Sequence, residues 1–203
     1  MPYIDPVLTV LALGVALALR PWRLIANLPW PALAWWAALP WVWEADRSAS
    51  VAVLQPLSGA CLLVLMIGWP LAVPALLALV VLLGATGMPW DAALHRGVWL
   101  GLVPATLALA LGGAVRRWLP HHLFVYILGR GFLVTGISLG IAGLVSALLF
   151  DAPPGISPGD LALGRFLTGA GEAFLTGMLT AIFVAFKPQW LATYTDRLYL
   201  PRP

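Results

Sequence analysis

The chain alternates between long apolar runs and short breaks that contain charged residues, Pro or Gly. An apolar run of about 20 residues is long enough to cross a bilayer as an α-helix. The pattern predicts about seven such spans, at 6–19, 28–43, 48–68, 71–86, 97–115, 122–150 and 161–186. The second span is short and rich in Trp and Pro, so we expect it to be tilted, broken or partly interfacial. The pattern therefore predicts an all-α integral membrane protein, with residues 1–203 forming a single transmembrane domain.

Composition supports a membrane environment for most of the chain. Apolar residues make up 62% of the sequence and charged residues only 9%, whereas a soluble domain carries about 25% charged residues. The eleven Trp residues also fit, because indole rings favour the headgroup level of a bilayer. We therefore expect membrane lipid as the main surroundings of the protein.

The distribution of the basic residues predicts an orientation. With the N-terminus outside and the C-terminus in the cytoplasm, seven of the eleven basic residues fall on the inner side: Arg20, Arg23, Arg116, Arg117, Lys187, Arg197 and Arg202. The outer side keeps Arg47, Arg96 and Arg165. An excess of Lys and Arg in cytoplasmic loops is the usual rule. The net charge of +3 is thus explained by orientation, and we expect no nucleic-acid partner.

Two charged residues lie within predicted spans, Arg130 in the sixth and Glu172 in the seventh. Each is roughly 14–16 Å from its end of the span, near the middle of the hydrocarbon core. Because a charge at that depth is costly unless it has a partner, we predict an ion pair between Arg130 and Glu172. Its role is either to fix the packing and register of the two helices or to serve a substrate pathway or moving element.

Small residues recur at four-residue spacing in the last two spans. Gly136 and Gly140 lie on the sixth, and Gly169, Ala173 and Gly177 lie on the seventh. Small side chains let helix backbones approach closely inside a membrane. The pattern predicts helix packing within the bundle, with docking of a partner helix as the alternative.

Candidate metal ligands are sparse. His121 and His122 are adjacent and His95 lies near the outer end of the fifth span, so these three are only weak candidates. Cys61 is the single cysteine and lies in an apolar run, where it is expected to pack as a small hydrophobic residue. No nucleophile elbow, zinc-protease motif or phosphate-binding loop occurs, so we do not expect an enzyme.

Several segments resemble a known transporter family. They are LSGACLLVLMIGWPLA at 57–72, GVWLGLVPA at 97–105, a double arginine at 116–117, LPHHLFVYI at 119–127, GEAFLTGMLT at 171–180 and KPQWL at 187–191. This series is similar to the substrate-binding membrane subunits of cobalt and nickel transporters, the CbiM/NikM-type components of energy-coupling factor (ECF) transporters. The likeness covers about residues 51–199 and is nearest to a proteobacterial branch of predicted membrane proteins.

The resemblance implies a multi-pass protein of the bacterial inner membrane that binds a small solute or ion within its bundle. It also implies an ECF coupling protein and ATPase subunits as partners. Pro2 and Pro56 stand where family members carry metal-binding histidines, so cobalt or nickel, which prefer nitrogen ligands, would lack the usual ligands here. We therefore expect no metal cofactor and a subunit degenerate in metal binding. The alternative is an accessory structural subunit that packs within a larger membrane complex.

Overall fold

The computed structural model describes residues 3–23, 29–48, 55–150 and 155–200, and the described residues contain helices and no β-strand. The helices are α1 (Ile4–Ala18), α2 (Trp30–Trp43), α3 (Ala45–Ser48), α4 (Ala60–Ile67), α5 (Trp69–Ala85), α6 (Trp90–Trp118), α7 (Val125–Leu149), α8 (Pro158–Phe186) and α9 (Asp196–Tyr199), with a 3₁₀ turn at Pro188–Trp190. Pro2 and positions 49–54 of the third predicted span lie outside the described residues.

Three of these helices are long and apolar enough to cross a membrane. They are α6 with 29 residues, α7 with 25 and α8 with 29. At about 1.5 Å per residue, each exceeds the ~30 Å thickness of the hydrocarbon core. The helices α1 and α5 are also apolar but shorter. The prediction of an all-helical fold is confirmed for the described residues, and three of its helices are long and apolar enough to cross a membrane.

The fifth predicted span is part of a longer helix. It was expected over 97–115, whereas α6 begins at Trp90 and ends at Trp118. Pro89 and Asp91 fall in the predicted break between the fourth and fifth spans, but both residues are typical of a helix start. Within α6 the backbone is π-helical over Gly97–Leu102, which shifts the carbonyl positions in that turn.

The third predicted span differs most from the expected single helix over 48–68. Residues 56–59 are not helical, and α4 covers only eight residues, all of them buried. Pro56 cannot donate a backbone hydrogen bond, and Gly59 has φ +67°, the left-handed region that glycine adopts without steric cost. The helix α4 is therefore about 12 Å long, well short of a membrane crossing.

The helices α7 and α8 pack antiparallel through the small residues of both. A Cβ built on Gly136 would lie 3.2 Å from the Cβ of Ala173, and one built on Gly169 would lie 3.6 Å from the backbone nitrogen of Gly140. A Cβ on Gly177 would lie 3.0 Å from the side chain of Phe132. The two backbones approach closely along this seam, which holds Glu172 in a fixed position relative to the rest of the bundle.

Candidate functional site

The N-terminal end of α4 is held by the carboxylate of Glu172. Ser58 donates its backbone N–H to Glu172 Oε2 at 2.5 Å, and Gly59 donates its own to Oε1 at 2.8 Å. Glu172 is only 1% exposed. Backbone N–H groups at a helix start have no partner within the helix, and the helix dipole favours a negative charge there. The Glu172 carboxylate supplies the hydrogen-bond acceptors for these N–H groups and the negative charge that the dipole favours.

Indole groups of α2 complete the hydrogen bonding of the same turn. Trp43 Nε1 donates to the Ser58 carbonyl at 2.7 Å, and Trp35 Nε1 donates to the Gly59 carbonyl at 2.9 Å. The Ser58 hydroxyl donates to the carbonyl of Leu100, in the π-helical turn of α6, at 2.5 Å. Irregular backbone inside a membrane protein requires such internal partners. The Trp-rich second span thus stabilises the break before α4, a role that its composition did not indicate.

The C-terminal end of α4 is held by the chain that follows α8. The backbone N–H groups of Ala192 and Thr193 donate to the carbonyls of Met66 and Leu65 at 3.2 and 3.3 Å. The Thr193 hydroxyl also donates to the Leu65 carbonyl at 3.2 Å. Backbone groups at both ends of this short buried helix therefore form hydrogen bonds with residues that are far away in the sequence.

Arg130 lies beside that C-terminal attachment. Its Nη1 donates to the Thr193 carbonyl at 3.3 Å, and its Cζ lies 5.5 Å from the centre of the Tyr126 ring. The Tyr126 and Thr193 hydroxyls are 2.8 Å apart. The Nε of Arg130 is buried and has no hydrogen-bond partner among the residues described.

The predicted Arg130–Glu172 ion pair is not formed. Within the described ranges, ion pairs join Arg47 to Glu44 and Arg96 to Asp46, and neither Arg130 nor Glu172 takes part in one.

The register of α7 on α8 explains why Arg130 and Glu172 do not meet. Gly131 lies against Thr180, eight residues along α8 from Glu172, which is about 12 Å at 1.5 Å per residue. This offset matches the length of α4. The acid contacts the N-terminal end of α4, and Arg130 lies near its C-terminal end, so both charges have the sign that the helix dipole favours.

A polar cavity of about 290 Å³ lies at the end of the bundle where α8 begins. Its polar lining residues are Asp46, Gln55, His95, Arg96, Ser146 and Arg165. Pro56 and Leu100 also line it, so the cavity reaches the backbone just before the Ser58–Gly59 turn. We call it the Arg165 cavity.

The charged groups of the Arg165 cavity differ in their pairing. Arg96 binds both carboxylate oxygens of Asp46, at 2.8 and 2.7 Å, and also donates to the Trp43 carbonyl. Arg165 Nη1 donates to the Gly143 carbonyl at 2.5 Å. The Nε of Arg165 has no partner, and no carboxylate in the part of the chain that the structure describes pairs with this guanidinium.

A second cavity of about 580 Å³ adjoins the first and shares His95 and Ala92 with it. It is lined by Asp5 and Asp91. Asp5 accepts a hydrogen bond from Trp99 Nε1 at 2.9 Å, and its other oxygen lies 2.9 Å from His95 Nδ1. His95 therefore joins α1 to α6 and lines both cavities.

The weak metal candidates contact different residues. His122 Nδ1 accepts the Phe124 N–H at 3.3 Å, while the His121 ring lies 6.1 Å from that of Tyr199. His95 is at the other end of α6. No group of three or more His, Cys, Asp or Glu side chains is arranged to hold a metal ion within the described ranges.

Tyrosines cover the attachment of the C-terminal segment to the bundle. The Tyr126 ring lies 4.9 Å from that of Tyr194, and Tyr194 stacks on Tyr199 at 5.4 Å. Burial, together with the neighbouring carboxylate of Asp196, raises the pKa of Tyr194 to about 12. The Tyr194 phenol is therefore neutral over the physiological pH range.

Arg165 was not predicted as a site residue, although the sequence contained a signal. Arg96 and Arg165 are two of the three basic residues that the charge pattern left on the outer side, and both line the same cavity. A basic residue on the side where the positive-inside rule expects few is a signal of a local role. For Arg96 and Arg165 that role is to line the cavity.

Comparison of the chain with protein-family models, with curated proteins and with solved structures found no match. The resemblance to cobalt and nickel transporter subunits therefore stays a prediction from the sequence.

Proposed function

We propose that the chain is the solute-binding membrane subunit of a transport complex, of the kind that the ECF resemblance implies. The observation that carries this proposal is the Arg165 cavity, a polar space between helices whose lining includes a guanidinium that pairs with no carboxylate among the described residues. Transporters often build substrate sites beside interrupted helices, and α4 with its preceding turn is such an element. Metal transport with the family's usual ligands is not part of the proposal, because the Pro56 side chain has no nitrogen atom that could bind a metal ion in the cavity.

The proposed topology has seven membrane passes, with the N-terminus outside and the C-terminus in the cytoplasm of a bacterial inner membrane. The passes are α1, α2, the 55–67 segment with α4, α5, α6, α7 and α8. Asp5, Asp46 and Arg165 lie near one end of the bundle. Arg116 and Arg117 are in the last turn of α6, towards the other end. The positive-inside rule places that second end in the cytoplasm.

The chain contains no phosphate-binding loop, so energy for transport would come from separate ATPase subunits and a coupling protein. Copurification from native membranes tests this arrangement. A tagged chain, extracted in mild detergent beside an untagged control strain, is expected to bring down an ATPase and a membrane coupling protein. Stoichiometric recovery of a different membrane complex without any ATPase would contradict the transport proposal.

The second candidate is an accessory subunit within a larger membrane complex. A wide apolar groove of about 510 Å³ runs between α1 and α6 and is lined by Leu8, Leu11, Val15, Leu102 and Leu109. A partner helix would fit such a groove by apolar contact. The same copurification distinguishes the two candidates, because the accessory role predicts a stable complex that contains no ATPase.

A further inference from the structure

We propose that the Arg165 cavity binds a small carboxylate anion, with the guanidinium of Arg165 as the group that recognises it. The inference rests on the proposed function and names its substrate class. It is independent of the metal chemistry of the resembled family, because it uses none of that family's ligand positions.

The charge balance of the cavity favours an anion. Asp46 and Arg96 neutralise each other through two hydrogen bonds. Among the described residues Arg165 then leaves one positive charge, and its buried Nε has no hydrogen-bond partner there. A guanidinium presents a planar set of donors that matches a carboxylate in two parallel hydrogen bonds. A bound carboxylate would supply the missing partner.

The nearest acidic residue on the same helix face does not fill this role. Glu172 is seven residues from Arg165, two turns or about 10 Å along α8. Both of its oxygens already accept backbone N–H groups, from Ser58 and Gly59. The acidic residues Asp5 and Asp91 line the adjoining cavity instead.

Neutral donors complete the cavity. The side chains of Gln55 and Ser146 line it and make no hydrogen bond to any described residue. An amide and a hydroxyl can each donate one hydrogen bond to a carboxylate or to a hydroxyl group beside it. The cavity volume of about 290 Å³ lies at the lower end of ligand pockets. The ligand is therefore a carboxylate with few heavy atoms.

Direct binding tests the proposal. The purified full-length chain in lipid nanodiscs would be dialysed against radiolabelled acetate, lactate or succinate, and in parallel against Co²⁺ and choline. We expect saturable binding of at least one carboxylate and none of the cations. Arg165→Gln should raise the Kd at least tenfold, and Arg165→Lys should raise it less, because it keeps the charge but loses the fork of donors.

Two further variants control for folding and for charge. Arg47→Gln removes an exposed arginine that pairs with Glu44 outside the cavity, and it should leave the Kd unchanged. Ser146→Ala removes one neutral donor at small structural cost and should weaken binding severalfold. A thermal melt of each variant identifies any that fail to fold.

Three results would overturn the inference. The first is carboxylate binding that is unchanged in a folded Arg165→Gln protein. The second is binding of Co²⁺ or choline without any carboxylate, which would leave the solute-binding function standing with a different substrate class. The third is no binding of any probe, in which case copurification with an ATPase decides separately whether the transport function stands.

Discussion

At the scale of single residues, the buried carboxylate of Glu172 has the most consequence for the fold. It accepts two backbone N–H groups at the start of a helix that lies inside the bundle. In water those groups would find other partners, but inside a membrane protein they would stay unpaired. Glu172 therefore stabilises the chain break at residues 58–59 and does not act mainly through another charged side chain.

Replacing Glu172 tests this role. Glu172→Ala leaves two buried N–H groups without acceptors, which should lower the free energy of unfolding by about 2–6 kcal/mol. Glu172→Gln keeps one acceptor oxygen and should lose roughly half as much. Thermal unfolding in detergent, followed by size-exclusion chromatography, measures both.

The matched control for Glu172 is Glu44→Gln, at the only other glutamate of the chain. Glu44 pairs with Arg47 at an exposed site, so its replacement should cost less than about 1 kcal/mol. Equal stability of Glu172→Ala and the parent protein would contradict the role assigned to the carboxylate.

At the scale of elements, α4 and the α7–α8 pair determine where the buried charges lie. The helix α4 is too short to span, yet its two ends are bonded to α8 and to the C-terminal segment. The close packing of α7 on α8 fixes the register that separates Arg130 from Glu172. Small residues at this seam are therefore required for the position of Glu172 as well as for packing.

Two glycines of α8 form a matched pair for testing the seam. A Cβ on Gly177 would lie 3.0 Å from the Phe132 side chain, whereas a Cβ on Gly171 would have no neighbour within 4 Å. Gly177→Leu should therefore destabilise the protein by about 1–3 kcal/mol or more, the usual cost of overpacking. Gly171→Leu should be close to neutral. Similar melting temperatures for the two variants would show that this seam does not hold α8 in place.

At the scale of the whole molecule, the orientation of the bundle can be measured at the two ends of α6. Asp91 is exposed at one end, near the two polar cavities, and Trp118 is 77% exposed at the other. Cys61 is buried, so Cys61→Ser gives a background in which new cysteines can be labelled singly.

In that background, Asp91→Cys should react with a membrane-impermeant maleimide added to intact spheroplasts. Trp118→Cys should react only after the membrane is permeabilised. The opposite pattern would reverse the proposed orientation, and labelling of both sites in intact spheroplasts would show that α6 does not cross the membrane.

Much of the helical fold follows from local features of the sequence. The apolar runs at 97–115, 122–150 and 161–186 predict three long helices, and each lies within or overlaps one of α6, α7 and α8. The prediction of these helices from the apolar runs succeeds because a long apolar segment has few alternatives to a helix in lipid. Of the glycines in the predicted packing set, Gly136, Gly169 and Gly177 lie against the facing helix, whereas a Cβ built on Gly140 would meet no atom within 4 Å.

The sequence by itself determined the class of protein, the long helices and the presence of two buried charges in the last two of them. Only the tertiary structure decided which groups those charges contact. That outcome depends on the register between α7 and α8, which keeps Arg130 away from Glu172, and on a helix break at Gly59, where backbone N–H groups donate to the Glu172 carboxylate. The Arg165 cavity could not be predicted from the sequence either, because its lining residues include some that are more than 100 positions apart, such as Gln55 and Arg165. Local patterns specify helices, whereas the partners of buried polar groups are set by packing.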